Sequence, residues 1–419
     1  MKIVYLHQYF NTPEMSGGTR SYEMARRMVA AGHEVHMVTS FRESGEKPKG
    51  WFESDEAGIR VHWYPVPYSN HMSYGQRIKA FFAFAFAARK KALMLEGDIV
   101  FATSTPLTIA LPGVLAARKH KIPMVFEVRD LWPEMPIAMG ALKNPAMRFA
   151  AKRLERWAYR HSSAVVALSP GMKEGVIATG YPASQVAVIP NSSDNHEFQH
   201  DPQAAKVFRA KRPWLGDRPL LVYAGTFGRV NGVGYMVELA AELKQLSSDI
   251  RLLLVGDGQE RPAVIEAAKV AGVYEDNLFF ESVMPKREIP GLLSAATMAS
   301  NLVIDLPAAR ANSANKFFDT LAAGKPILIN HGGWMHDLVI DSGCGLAMWQ
   351  KPIDEVAKEL HDKLHDKNWL NDAGASAKKL AENSFSRDVL ASQLMSVLEA
   401  AVAGKAHECQ SIAPGKYVS

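Results

Sequence analysis

Lys316 and Asp319 stand three residues apart in the segment Asn315-Lys-Phe-Phe-Asp-Thr-Leu-Ala-Ala-Gly-Lys-Pro326. A lysine at a helix start suits a phosphate, because the unbonded amides and the positive end of the helix dipole act in the same sense. A carboxylate one turn on suits the hydroxyl pair of a ribose. The spacing places both groups on one helix face. The flanking residues predict that helix: Ser313 can cap a start near Asn315 with its side-chain oxygen. Phe317, Phe318, Leu321 and Ala322 form one apolar stripe. Gly324 closes the helix in a left-handed position, and Pro326 with Ile327-Leu-Ile329 opens a buried strand. The plainer alternative is a surface helix with a solvated Lys–Asp pair.

The other candidates lie where apolar strands end. Lys2 to Leu6 is a strand, and a polar loop ending in Ser16-Gly-Gly-Thr19 leads into the helix carrying Tyr22, Met24, Ala25, Met28 and Val29. Gly17 and Gly18 let the backbone approach a ligand at a helix amino end. Pro123 to Val128 is a strand that runs into Arg129-Asp-Leu-Trp-Pro-Glu134. Polar residues just past a strand of an open parallel sheet are candidate site residues. Asp130 is the first choice as a base there, with Glu134 and Glu127 as rivals; a capping Asp130 paired with Arg129 is the structural alternative. Gly225-Thr-Phe-Gly-Arg-Val-Asn-Gly232 lies between a strand and a helix, the context of a phosphate cradle. Gly256-Asp-Gly258 is another turn at a sheet edge, and Arg310 precedes the Lys316 segment within reach of the same site.

These loops need two wound α/β halves to hold them, and 419 residues suffice for two or three domains. At 47% hydrophobic and 22% charged the composition is that of an ordinary globular protein. No apolar run reaches the roughly 18 residues of a membrane span. The amino end lacks the apolar core and cleavage site of a signal peptide. Cys344 and Cys409, the only two cysteines, argue against a disulfide framework or zinc site and fit a reducing, cytoplasmic setting. A net charge of +5 favours anionic partners without calling for nucleic acid. Tyr74 to Leu95 carries Phe81, Phe82, Phe84 and Phe86 among basic residues and no acid. It reads either as a core helix with basic ends or as a helix at an anionic membrane surface. Arg148, Lys152, Arg153, Arg156 and Arg160 mark a second basic helix, with Phe149, Leu154 and Trp157 read as its core side.

Asn315 to Pro326 and Asp130-Leu-Trp-Pro133 resemble retaining GT-B glycosyltransferases of family 4, above all those building bacterial O-antigen, capsule or exopolysaccharide. The resemblance implies an α/β GT-B fold, two Rossmann-like domains facing across a cleft. Residues 1–195 would bind the acceptor, joined by a crossing helix at about 386–403. Residues 196–385 would bind the nucleotide sugar, and 404–419 would be a disordered tail. It assigns Lys316, with Asp130 and Glu134, to catalysis. Gly17, Gly18, Gly225, Thr226, Arg229, Gly256, Met284, Arg310, Ser313, Asn315 and Asp319 fall to the donor, and Arg129 and Trp132 to the acceptor. Pro190-Asn191 falls at the hinge. The chain departs from the family in three places. Asp319 replaces a ribose-binding glutamate, and Ala311 breaks the Glu-x7-Glu signature. Thr226 and Asn231 stand where the family's loop carries Arg and Lys. Lys316, then Arg229, become the phosphate cations.

The implied reaction moves a sugar from a nucleoside diphosphate sugar to a saccharide acceptor with retention, without a metal or cofactor. The implied acceptor is polyprenyl-diphosphate-linked, reached from the cytoplasm at the inner face of the plasma membrane. Asp130 is either the base or an orienting group while the leaving phosphate takes the proton. The alternatives are a nucleotide-sugar epimerase of GT-B architecture and a non-catalytic sugar-binding partner. A nicotinamide oxidoreductase is disfavoured, because Gly-x-Gly-x-x-Gly is missing.

Overall fold

The computed structural model describes residues 1–15, 17–42, 49–69 and 72–412; Ser16 and the 413–419 part of the expected tail lie outside the described residues. Two separate sheets form. The first contains β1 (Lys2–Leu6), β2 (Glu34–Phe41), β3 (Phe52–Glu56), β4 (Ile59–Pro65), β5 (Ile99–Thr103), β6 (Met124–Val128), β7 (Ala164–Ala167) and β8 (Val186–Val188). Their order is β3-β4-β2-β1-β5-β6-β7-β8, parallel except for β3 against β4. The second contains β9 (Leu220–Ala224), β10 (Arg251–Val255), β11 (Leu278–Glu281), β12 (Met298–Asn301), β13 (Ile327–Ile329) and β14 (Gly345–Ala347), in the order β11-β10-β9-β12-β13-β14. All of its pairings are parallel.

The central strands are short unbroken apolar runs because helices cover both faces of each sheet. Ile3, Tyr5, Phe101 and Val125 face one core of the first sheet; Val4, Leu6, Val100 and Phe126 face the other. Helix Arg387–Val402 returns to that first sheet, burying Leu390, Leu394, Val397 and Leu398 beside Ile3 and Tyr5.

Two expectations change here. Residues 404–412 are not a loose tail: Ala406–Ser411 is a 3-10 helix that buries Ala406 and Cys409 against the first sheet. Phe149 is not on a core side but 68% exposed. The Tyr74–Met94 helix divides its phenylalanines, Phe81 and Phe84 inward, Phe82 and Phe86 outward.

One buried ion pair fixes the cleft edge of the first sheet. Arg20, at the start of helix Arg20–Ala30, gives Nε and Nη2 to Glu127 Oε1 at 3.0 and 2.9 Å. The same guanidinium donates to the carbonyls of Ile189 and Pro190 at 2.9 and 2.6 Å. Glu127 also accepts from Thr103 Oγ1 at 2.5 Å. It is therefore a structural partner, not a rival base.

Arg20→Ala strands a buried carboxylate. It is expected to lower stability by about 3–5 kcal/mol, seen as an earlier urea transition. The Arg20→Met, Glu127→Met double variant, which leaves no buried charge, is expected to recover part of that loss.

Candidate active site

The loops after β9, β10 and β11, strand β12 and the start of helix Asn315–Ala322 wall one side of a cavity of about 630 Å³. Gly225 faces Lys316 so closely that an added Cβ would lie 2.9 Å from its Nζ. Lys316 Nζ donates to Tyr223 Oη at 3.2 Å and sits 4.3 Å over the Tyr223 ring. Tyr223 in turn donates to the Thr226 carbonyl at 2.8 Å. Among the described residues no carboxylate lies within ion-pair distance of Lys316. Crowding by protein, with no counter-charge, pushes its ammonium down to about 8.

Asp319 follows one turn on, buried at the cavity wall. Its Oδ1 accepts from Ser193 Oγ at 2.9 Å, and Lys286 Nζ bonds its Oδ2. Lys286 also lies 4.6 Å over the Phe198 ring. Ser313 does not cap the helix. Ala314 occupies that position without a side-chain bond, and Ala314, Asn315 and Lys316 at this uncapped start line the cavity. Ser313 Oγ accepts instead from the Asn191 amide at 3.1 Å, and the Ser313 carbonyl accepts from Asn191 Nδ2. The reason is position: Asn191 follows β8 and meets the loop from the opposite half.

The first sheet supplies the facing wall and a second cavity of about 370 Å³. Gly18, Asn231, Ala314 and Asn315 line both cavities, so the two are continuous. A Cβ on Gly18 would lie 2.8 Å from Asn315 Nδ2, so the Gly18 backbone and the Asn315 side chain meet across the cleft. Asp130 Oδ2 accepts from Thr105 Oγ1 at 3.0 Å. The Asp130 side chain opens to the cleft yet is walled by protein, and that desolvation raises its pKa against the pull of Thr105 and Arg129. Arg129 is anchored by its amide to Ser104 Oγ at 3.0 Å, and its Nη1 donates to His7 Nε2 at 3.2 Å. Burial and the nearby Arg129 and Arg42 hold His7 well below the usual imidazole range, so it is neutral.

Gly17, Gly256, Met284 and Thr226 line the larger cavity, and Ser313 and Arg129 the smaller. Four expected residues lie elsewhere. Arg229 starts a 3-10 turn, Arg229–Asn231, which aims it into a separate opening beside Met139 and Tyr235. Arg310 pairs with Asp305 at 2.7 Å and lies 4.7 Å over Trp349. Trp132 packs edge-on against Phe81 at 6.0 Å, leaving Leu131 to line the cavity. Glu134 lies near Glu155 rather than the cavity; burial and then the Glu134 charge push Glu155 up to about 8. Lys286, His7, Tyr9 and Asn11 were not expected. His7 directly follows β1, so the strand-end argument that found Asp130 covers it too. Lys286 had no local signal.

Residues 17–192 match the family model for a glycosyl transferase 4-like domain, and residues 205–383 match glycosyl transferases group 1. The chain belongs to the GT-B glycosyltransferases of family 4. It is 23% identical over 248 residues to alpha-D-kanosaminyltransferase of Streptomyces kanamyceticus, covering 59% of this chain and 63% of that one. The chain thus spans less than two thirds of that relative's length. It is 22% identical to a GDP-mannose-dependent alpha-(1-6)-phosphatidylinositol monomannoside mannosyltransferase of Mycolicibacterium smegmatis, over 84% of this chain and 87% of that one. Among solved structures, sucrose-phosphate synthase of Thermosynechococcus elongatus superposes with a TM-score of 0.78 at 17% identity, over 96% of this chain and 99% of that one.

Within this GT-B family the departures at Thr226 and Asn231 have a structural counterpart here. Asn231 Nδ2 donates to the Thr226 carbonyl at 2.9 Å, so the two positions brace the loop instead of charging it. Lys316 is left as the cation under that loop.

This makes nucleotide affinity sensitive to pH. A diphosphate seated beside Lys316 is expected to raise its pKa, so that binding near pH 8 takes up a fraction of a proton. At pH 6 this group is already charged and takes up none. Calorimetry of UDP or GDP binding in buffers of different ionisation enthalpy is expected to show the uptake at pH 8. Lys316→Arg, charged throughout, is expected to abolish it.

Proposed function

We propose that the protein transfers a sugar, with retention, from a nucleoside diphosphate sugar to a saccharide acceptor on a lipid carrier. The observation that carries this reading is Lys316, set beneath Gly225 at an uncapped helix start, with Asp319 one turn on. The diphosphate takes the place beside Lys316 and the helix amides, where charge on the leaving group is stabilised as the glycosidic bond breaks. The ribose hydroxyls donate to Asp319, and the base lies toward Met284. The acceptor occupies the smaller cavity. Asp130, raised by its surroundings, is suited to hold or take the acceptor proton, and Arg129 orients the sugar. No metal or cofactor is required in this scheme. The name of the mannosyltransferase relative supports a nucleotide-sugar donor and a lipid acceptor. The Asp130-Leu-Trp-Pro133 resemblance supports a role in surface polysaccharide synthesis.

The test is release of nucleoside diphosphate with and without acceptor, with the product anomer read by NMR. Acceptor-dependent release with retained configuration is expected. Lys316→Ala is expected to weaken diphosphate binding by about 1.5–3 kcal/mol, the scale of a charge-assisted hydrogen bond. Acceptor-independent epimerisation of the donor would overturn the reading.

We also propose that the first half works at an anionic membrane surface. No helix of the described residues is long and apolar enough to cross a membrane. Helices Tyr74–Met94 and Pro145–Arg160 pack into one core cluster and expose Phe82, Phe86, Met147 and Phe149. Arg89, Lys90, Lys152, Arg153 and Arg156 are exposed among them. Lys91 is not available for this, since it pairs with Glu53 at 3.2 Å and lies 5.3 Å from the Trp51 ring. Two phenylalanine rings contribute about 3 kcal/mol or more on burial, and each cation about 1 kcal/mol. Wild type is expected to pellet with phosphatidylglycerol liposomes at low salt. The Phe82→Ser, Phe86→Ser, Arg89→Gln, Lys90→Gln variant is expected to stay in the supernatant while remaining folded. Equal partition of the two removes the membrane role.

A further inference from the structure

A larger cavity, about 880 Å³, lies away from the cleft. It sits at the amino edge of the second sheet, beside Thr297 before β12 and Pro326 before β13, whereas the cleft is at the carboxyl ends. Its volume falls in the usual range of small-molecule sites, roughly 300–1,000 Å³.

The lining is cationic. Lys325, Arg209, Lys378, His196 and His200 face it, against one carboxylate, Glu382, which lies 3.9 Å from Lys378. Helix carboxyl ends account for part of this charge. Arg209 donates to the carbonyls of Ala295, Gly216 and Arg218, at 2.7, 2.9 and 3.0 Å. Lys325 is different. Among the described residues its Nζ bonds only the Ser294 carbonyl, at 3.2 Å, and an ammonium carries three donors. Among the described residues no carboxylate lies within ion-pair distance of it. Burial and then Arg209 push it down to about 8, a cost that an anion would relieve. Burial, with Lys325, lowers His200 in the same way. Lys378 and His200 are exposed at the rim, placed to meet a second charge or a hydroxyl.

We propose that this cavity is a second ligand site, taking a phosphorylated small molecule of about hexose-phosphate size, with the phosphate on Lys325 and Lys378. The site bears on the cleft through one element. Helix Asn315–Ala322 starts at the cleft with Lys316 and Asp319, and its last turn, with Gly324 and Lys325, lines this cavity. An occupant here therefore holds the far end of the helix that carries the cleft's charged groups.

The experiment is hydrogen exchange on the whole chain, with UDP or GDP saturating the cleft and glucose 1-phosphate or inorganic phosphate as probe. Both probes are expected to slow exchange in segments 322–326 and 370–382, and glucose alone is not. Calorimetry is expected to show that Lys325→Gln raises the glucose 1-phosphate Kd by about ten-fold or more, a loss of about 1.4 kcal/mol. Lys325→Arg and Lys316→Ala are expected to change it by less than about three-fold. Unchanged exchange in both segments overturns the proposal whether or not any variant folds. Binding lost in Lys316→Ala but kept in Lys325→Gln also overturns it, by placing the phosphate in the cleft.

Discussion

The salt bridge between Arg20 and Glu127 is the constraint on which the cleft depends. Both groups are almost fully buried, so neither charge is tolerable without the other. Their pairing ties three separate stretches together. Arg20 starts the helix that follows Gly17 and Gly18. Glu127 lies on β6, two residues before Arg129. The Ile189 and Pro190 carbonyls, which take the other guanidinium donors, lead to Asn191 and so to Ser313 on the opposite half. One side chain thus sets the positions of the glycine loop, the Asp130 loop and the crossing segment.

The cleft beyond this point is short of counter-charge. Among the described residues Lys316 meets only a phenol there, and desolvation raises the Asp130 pKa. A site built from under-compensated groups is costly without ligand and gains most from an anion and a hydroxyl placed between them. Asp319 is the contrast, since Ser193 and Lys286 already satisfy both its oxygens. Its first partner comes from the crossing segment, so the group read as the ribose acceptor also helps to hold the two halves together.

What was legible in the sequence was local. The Lys316 helix, its apolar stripe and the Gly225 loop follow from short-range pattern, and the structure brings them together. Directions set by distant neighbours were not legible. Ser313 reads as a cap until Asn191, 122 residues earlier, supplies a better partner. Arg229 and Arg310 lie in the right loops, but a 3-10 turn carries the first away and contacts with Asp305 and Trp349 hold the second. The Tyr74–Met94 helix hid its faces because its phenylalanines, spaced one and two residues apart and separated by alanines, make no single stripe. Lys286 is visible only once the turn after β11 is brought to Asp319 on the motif helix.

The return of helix Arg387–Val402 to the first sheet has a consequence for biosynthesis. The last strand of that sheet ends at Val188, yet one of its two cores is closed by Leu390, Leu394, Leu398 and Cys409. At about 5–20 residues per second, a ribosome exposes the early strands for roughly ten seconds or more before those covering side chains emerge. Until then Ile3, Tyr5 and Phe101 face an unfinished layer. One core of the first half therefore cannot close until the whole second half has been made.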